Sequence, residues 1–131
     1  MSHNYPHVGG YVMAPAPGHA RAHKGYVFEH ILVVERAIGR LLRRPECVHH
    51  INGDRADNRG ANLVACQDQA YHSLLHQRAR ALAACGHAAW LTCNYCKQWA
   101  DPVQLYVGRP SRGRLAGVYH RACRAAHRRA A

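Results

Sequence analysis

Two short pairs of metal-ligating side chains, Cys93-x2-Cys96 and His120-x2-Cys123, stand twenty-three residues apart near the end of the chain. Closing one tetrahedral N/S site from them forces the intervening segment to double back on itself. Few other features restrict the fold as tightly, because the chain is poor in large apolar groups. The apolar share is 48%, but much of it is alanine, and there are one Phe and two Trp. A chain of 131 residues makes one domain, or one domain with a small appendage. It can bury roughly two-thirds of its unfolded surface, so a modest core helped by metal is expected.

Twelve His and six Cys are an excess that points the same way. The start, Met1-Ser2-His3-Asn4-Tyr5-Pro6, has no apolar stretch of signal-peptide type. The longest apolar runs, such as Ile31 to Val34, are far shorter than a membrane span. A cytoplasmic protein with reduced thiols is the expectation, with Cys47 and Cys66 as buried packing residues on strands.

Charge indicates the partner. Lys and Arg number 18 against 7 Asp and Glu, a formal net charge of +11. Lys24 and Lys97 are lysines, and the remaining basic residues are arginines, whose planar fork suits bidentate phosphate contacts. A small soluble chain of this kind is expected to meet nucleic acid.

Along the chain, residues 1–24 are rich in Gly, Pro and His and read as a basic, loosely ordered arm with a short strand at Tyr11-Val12-Met13. Val27, Ile31, Val34 and Ile38 fall at helical spacing, so Tyr26 to Ile38 reads as a helix stopped by Gly39. Cys47 to Ile51 and Asn62 to Cys66 read as short strands joined by a loop that opens with the turn Asn52-Gly53-Asp54. Gln67 to Ala84 reads as a helix with Asp68 at its positive end, Gly86 past its end and Tyr71, Leu74, Leu75 and Leu82 as its apolar face. Strand, long loop, strand and helix make a ββα unit within residues 25–84. Residues 85–131 form a separate basic module, with the boundary near Cys85 to Ala89 and a short helix from about His120.

The ββα unit gathers histidines. His72 and His76 share a helix face and can both reach one metal. His49 and His50 are neighbours on a strand and point to opposite sides, so one can join the metal while the other faces a different target. Metal-assisted phosphodiester hydrolysis needs that division: charge stabilisation on one side and a base for water on the other.

His49-His50-Ile51-Asn52-Gly53-Asp54, Asp57-Asn58-Arg59, Asn62-Leu63 and His72 resemble, in order and spacing, the HNH endonucleases of the ββα-metal or His-Me finger class. Gly25-Tyr26-Val27-Phe28-Glu29-His30 and Gly39-Arg40 resemble the leader of phage-type and intron-type members, and the resemblance covers roughly residues 8–80. It implies an α+β fold with a small nuclease core, a leader helix and a C-terminal zinc-binding module. His49 and His72 match the metal-ligand positions, His50 the general base, and Asn62 the asparagine that orients that base. His76 matches the additional histidine of colicin-type nucleases, and is otherwise a solvated helix residue. The family leader usually has Arg after Glu-His, where Ile31 stands here. Glu29 and His30 are expected to hold the leader against the core, and Asp54, Asp57 and Asn58 to make loop hydrogen bonds.

For the C-terminal pairs, Cys93, Cys96, His120 and Cys123 are the expected zinc ligands, with His127 as the alternative to His120. The spacing fits a zinc ribbon or treble-clef-like module, with Tyr95 and Trp99 closing its small core. Arg112, Arg114, Arg121, Arg124, Arg128 and Arg129 are the expected DNA contacts. The implied activity is hydrolysis of a DNA phosphodiester, read as double-stranded, in a phage or its bacterial host. The cofactors are a divalent metal (Mg, Mn, Zn or Ni) at the histidines and a structural zinc. The rival reading is a non-catalytic zinc-dependent DNA-binding protein such as a phage regulator.

Overall fold

The structure is a computed structural model and describes residues 3–111, 114–115 and 117–131. Among the described residues the fold is α+β, with three α-helices and small antiparallel sheets. Contacts divide the chain into two units, residues 1–72 and 73–131, with the division falling inside one continuous helix.

In the first unit, β1 (Tyr5–Pro6), β2 (Val12–Pro15) and β3 (Tyr26–Phe28) form a three-stranded antiparallel sheet. Part of the segment expected to be a loose arm, Tyr5–Pro6 and Val12–Pro15, is therefore tied down by backbone pairing. Met13 lies opposite Phe28 and Ala14 opposite Val27. Helix α1 follows at Glu29–Ile38, three residues later than its apolar spacing predicts. Val27 does enter the core, but from a strand. The β-prone run Tyr26-Val27-Phe28 finds a partner in β2, and strand pairing wins over the helical pattern. Glu29 opens the helix at its positive end, and Gly39 closes it in the left-handed conformation at φ 74°, its N–H donating to the Glu35 carbonyl at 2.9 Å. Ile38, predicted to be on the buried face, is exposed.

Strand β4 (Cys47–His50) pairs antiparallel with β5 (Leu63–Cys66), placing Cys47 opposite Cys66 and His50 opposite Leu63. A 3-10 turn at Gly60–Asn62 leads into β5. Val27, Ile31, Val34, Leu42 and Val48 form the buried cluster, with Phe28, Leu32 and Leu63 packed at its margin. Burying these aliphatic side chains contributes about 1.5–3 kcal/mol each. Within this unit Glu35 is a buried acid; it meets His19 Nε2 at 2.6 Å and accepts the Leu42 N–H at 2.8 Å, so its two oxygens are both used.

Helix α2 covers Gln69–Cys85. The Asp68 side chain accepts the Tyr71 N–H at 2.8 Å, an N-terminal cap one turn ahead of the histidines. The predicted apolar face is not a core face. Tyr71 and Leu82 are exposed, and Ala81 is the one buried side chain described on this helix.

In the second unit, β6 (Leu91–Thr92) and β7 (Trp99–Ala100) form a hairpin whose tip is the Cys93–Cys96 loop. β8 (Tyr106–Val107) precedes the hairpin β9 (Pro110–Ser111) and β10 (Arg114–Leu115), and pairs with β11 (Val118–Tyr119). Helix α3 (Arg121–Ala130) follows at once.

Candidate active site and metal centres

β4 lifts two neighbouring histidines into different surroundings. Both are buried, His49 at 4% exposure and His50 at 7%. The His49 ring lies edge-on to His72 at 5.2 Å between centroids. His76 stands one helical turn after His72 on α2, and His49, His72 and His76 each offer a ring nitrogen within 4.8 Å of the others. Three converging imidazoles make a nitrogen donor set that would suit Zn, Ni or another borderline divalent metal.

His50 belongs to a second network. Its Nε2 lies 2.9 Å from Asn58 Oδ1, and the Asn58 amide donates to Glu29 Oε1 at 3.1 Å. Glu29 in turn accepts from the Asn4 amide. The carboxylate can only accept, so it fixes which end of the Asn58 amide faces His50. Asn58 Oδ1 then accepts, His50 Nε2–H donates, and Nδ1 is left to take a proton. The sequence alone makes Asn58 a loop hydrogen-bonder; the structure makes it the direct partner of His50. The signal lies in Asp57-Asn58-Arg59, but nothing in the sequence tells a loop contact from a site contact.

Asn62 serves the loop. Its Oδ1 accepts the Asn52 N–H at 3.0 Å, and its amide donates to Asn52 Oδ1 and the Asp57 carbonyl, both at 2.9 Å. The backbone Ile51 N–H also donates to the Asn62 carbonyl at 2.9 Å. Asn62 thereby locks the turn that leaves His50, whereas the resemblance implies an asparagine orienting the base. In that loop the Arg59 guanidinium holds the Asp57 carboxyl well below the usual carboxylate range, and the Asn52 amide donates to the same carboxylate at 2.8 Å.

Tyr11 and His30 pack against the His50 ring, and Phe28 packs against both of them. The His30 ring is edge-on to His50 at 5.0 Å, stacks on Phe28 at 5.5 Å and meets Tyr11 at 5.3 Å. Tyr11 stands just before β2; its strand-forming character is legible in the sequence, its place in the site is not. Burial, then the neighbouring His50, lowers the His30 imidazole from 6.5 to about 4, so it stands neutral at pH 7. The folded state therefore resists a proton that the unfolded state takes up below its ordinary value. Stability contributed here is intact above about pH 6.5 and is lost as pH falls towards 4, by roughly 2 kcal/mol at pH 5. Urea midpoints of wild type and His30→Phe, taken at pH 7.5 and 5.0, check this. The wild type should lose more on acidification than the variant, and equal losses would refute the assignment.

Cys47 and Cys66 face one another across β4 and β5 as free thiols. Cys66 is fully buried and Cys47 partly so; burial pushes the Cys66 thiol up to about 11, which makes it unreactive.

In the second unit, Cys93, Cys96, His120 and Cys123 each offer a ligand atom within 4.8 Å of the others. His120 Nδ1 lies 3.6 Å from Cys96 Sγ and 3.7 Å from Cys123 Sγ. His120 is the N-cap residue of α3, so helix geometry brings Cys123 back beside it. The alternative histidine, His127, instead packs on Tyr95 at 4.9 Å. Burial raises the Cys93 thiol, but the backbone N–H groups of Cys96, His120 and Tyr95 outweigh it and bring the thiol down to about 6. A thiolate stabilised by loop amides is ready for a cation. Three thiol sulfurs and one imidazole nitrogen are a donor set that fits a structural zinc. Tyr95 meets Tyr119 edge-on at 5.9 Å beside this cluster, and Trp99 lies on β7.

Of the expected DNA-contacting arginines, Arg121, Arg124, Arg128 and Arg129 lie on α3 and Arg114 on β10. Arg112 lies outside the described residues. No helix among the described residues is long and apolar enough to cross a membrane. No curated protein and no solved structure matches the chain at a significant level. Residues 27–71, from β3 to the first turn of α2, do match the family model of the HNH endonucleases, so β4, β5 and the start of α2 are HNH-like in sequence.

Proposed function

We propose that the HNH-type unit is a metal-dependent DNA endonuclease, with His50 as general base and a divalent cation held by His49, His72 and His76. One observation supports it most: adjacent residues of β4 part company, His49 joining two imidazoles of α2 while His50 joins Asn58. When bound, the cation would supply charge stabilisation at the phosphate and at the leaving oxygen. His50 takes a proton from water through Nδ1 as the water oxygen attacks phosphorus. The bond from phosphorus to the 3′ oxygen breaks, that oxygen gains a proton, and the products carry a 5′-phosphate and a 3′-hydroxyl. Asn58 and Glu29 hold the imidazole in the tautomer this requires, and Asn62 fixes the turn behind it. Phosphate contacts from arginines supply affinity without base recognition.

Supercoiled plasmid incubated with purified protein and Zn, Ni, Mn or Mg in turn tests the reading. Nicked or linear product should appear with metal and vanish with EDTA. His49→Ala should raise the metal concentration needed by about 10-fold or more. Tight DNA binding with no cleavage at any metal would favour the non-catalytic zinc-dependent DNA-binding protein instead.

A further inference from the structure

The second unit has a cleft of about 530 Å³ lined by Tyr106, Tyr119, Arg121, Arg124, Ala125 and Arg128. Its floor is aromatic. Tyr119 is buried, and Tyr106 stacks on it with centroids 4.9 Å apart and an interplanar angle of 25°. Arg124 is committed to this floor: its guanidinium lies 4.9 Å from the Tyr119 centroid and donates to the Tyr119 hydroxyl. Arg121 and Arg128, by contrast, are exposed and lie two helical turns apart along α3. Tyr106 is 45% exposed, a large ring left open to a basic cleft. No carboxylate lines the cleft, and Asp101 is the one acid in residues 97–131.

We infer that this cleft binds one unstacked nucleotide of single-stranded DNA, its base against Tyr106 and its flanking phosphates on Arg121 and Arg128. Arginines alone would suffice for a duplex backbone, whose bases are already stacked on one another. An exposed tyrosine in a recess of ligand-pocket size is the added feature, and an unstacked base is the nucleic-acid group that gains from it. The inference rests on DNA as the partner but not on cleavage by the HNH-type unit, and binding can be measured without any turnover.

Zinc-loaded full-length protein would be titrated with a labelled 12-nucleotide single strand and the matching duplex, read by fluorescence anisotropy. Tyr106→Ala should weaken single-strand binding by about 10-fold or more, the usual loss of one stacked base, and duplex binding by less than about twofold. Tyr106→Phe should retain single-strand affinity, because stacking needs the ring and not the hydroxyl. Replacing one base of the strand by 2-aminopurine gives a reading that needs no variant. Its fluorescence should fall on binding the wild type and should fall far less with Tyr106→Ala. Unchanged 2-aminopurine emission with the wild type, or equal losses on strand and duplex, would overturn the inference. Should plasmid cleavage fail while the single-strand selectivity holds, the endonuclease reading falls and this one stands.

Discussion

Cys93→Ser is expected to unfold most of residues 91–131 and leave the first unit standing. Among the described residues from 73 onward, the buried apolar side chains are Ala81, Cys93, Ala100, Val118 and Tyr119. Two are alanines and one is the ligand itself. Removing so little apolar surface from water cannot offset the conformational entropy of ordering this many residues, at about 1–2 kcal/mol each for the backbone. Binding a structural zinc in a site of this size is worth about 10–16 kcal/mol apparent, enough to decide whether the lobe exists. Serine keeps the shape of Cys93 but is a poor zinc ligand. Elemental analysis should find a tightly held zinc in the wild type and lose it in the variant. Limited proteolysis should then cut the variant between β6 and α3 while a fragment ending in α2 survives. A metal-free wild type with an unchanged protease pattern would show that the lobe holds itself together without metal.

The same shortage of large apolar groups explains why this lobe could be anticipated from its ligand spacing and hardly at all from hydrophobic pattern. Cys93-x2-Cys96 and His120-x2-Cys123 come together as expected, because a tetrahedral site leaves little freedom. Its strands are two residues long, and no periodicity can be read in so few positions. The first unit is legible where local signals agree with the fold: Gly39 at the end of α1, Asp68 at the start of α2, and the strands on either side of the Asn52-Gly53 turn. It is misread where tertiary pairing overrides a local pattern, as at Tyr26 to Phe28. The histidines of the site are visible because spacing on a strand and a helix fixes direction. Asn58, Glu29 and Tyr11 are not assigned to it, because Asn58 and Tyr11 reach His50 across 8 and 39 positions of sequence and Glu29 connects to it only through Asn58, all by loop and sheet geometry. Contacts of that kind leave no periodic mark.

His50→Ala is expected to lower cleavage by about 100- to 10,000-fold, the usual worth of a positioned general base. Metal affinity should persist in the same protein. The converging nitrogens belong to His49, His72 and His76, and His50 lies in the separate network with Asn58 and Glu29. The contrast with His49→Ala is the sharp part of the expectation. That variant should bind metal weakly and recover part of its cleavage as metal is raised, whereas His50→Ala should stay inactive at any metal concentration. Fold can be monitored by urea denaturation. His50 is buried against His30 and Tyr11, so alanine leaves a cavity and a loss of about 2–4 kcal/mol is in keeping with deleting a buried ring. His50→Gln keeps more of that volume and can still donate to Asn58, but cannot act as a base near neutral pH. It should therefore be more stable than His50→Ala and equally inactive. Substantial cleavage by His50→Gln would remove His50 from the base role and move the search to a water activated elsewhere in the site.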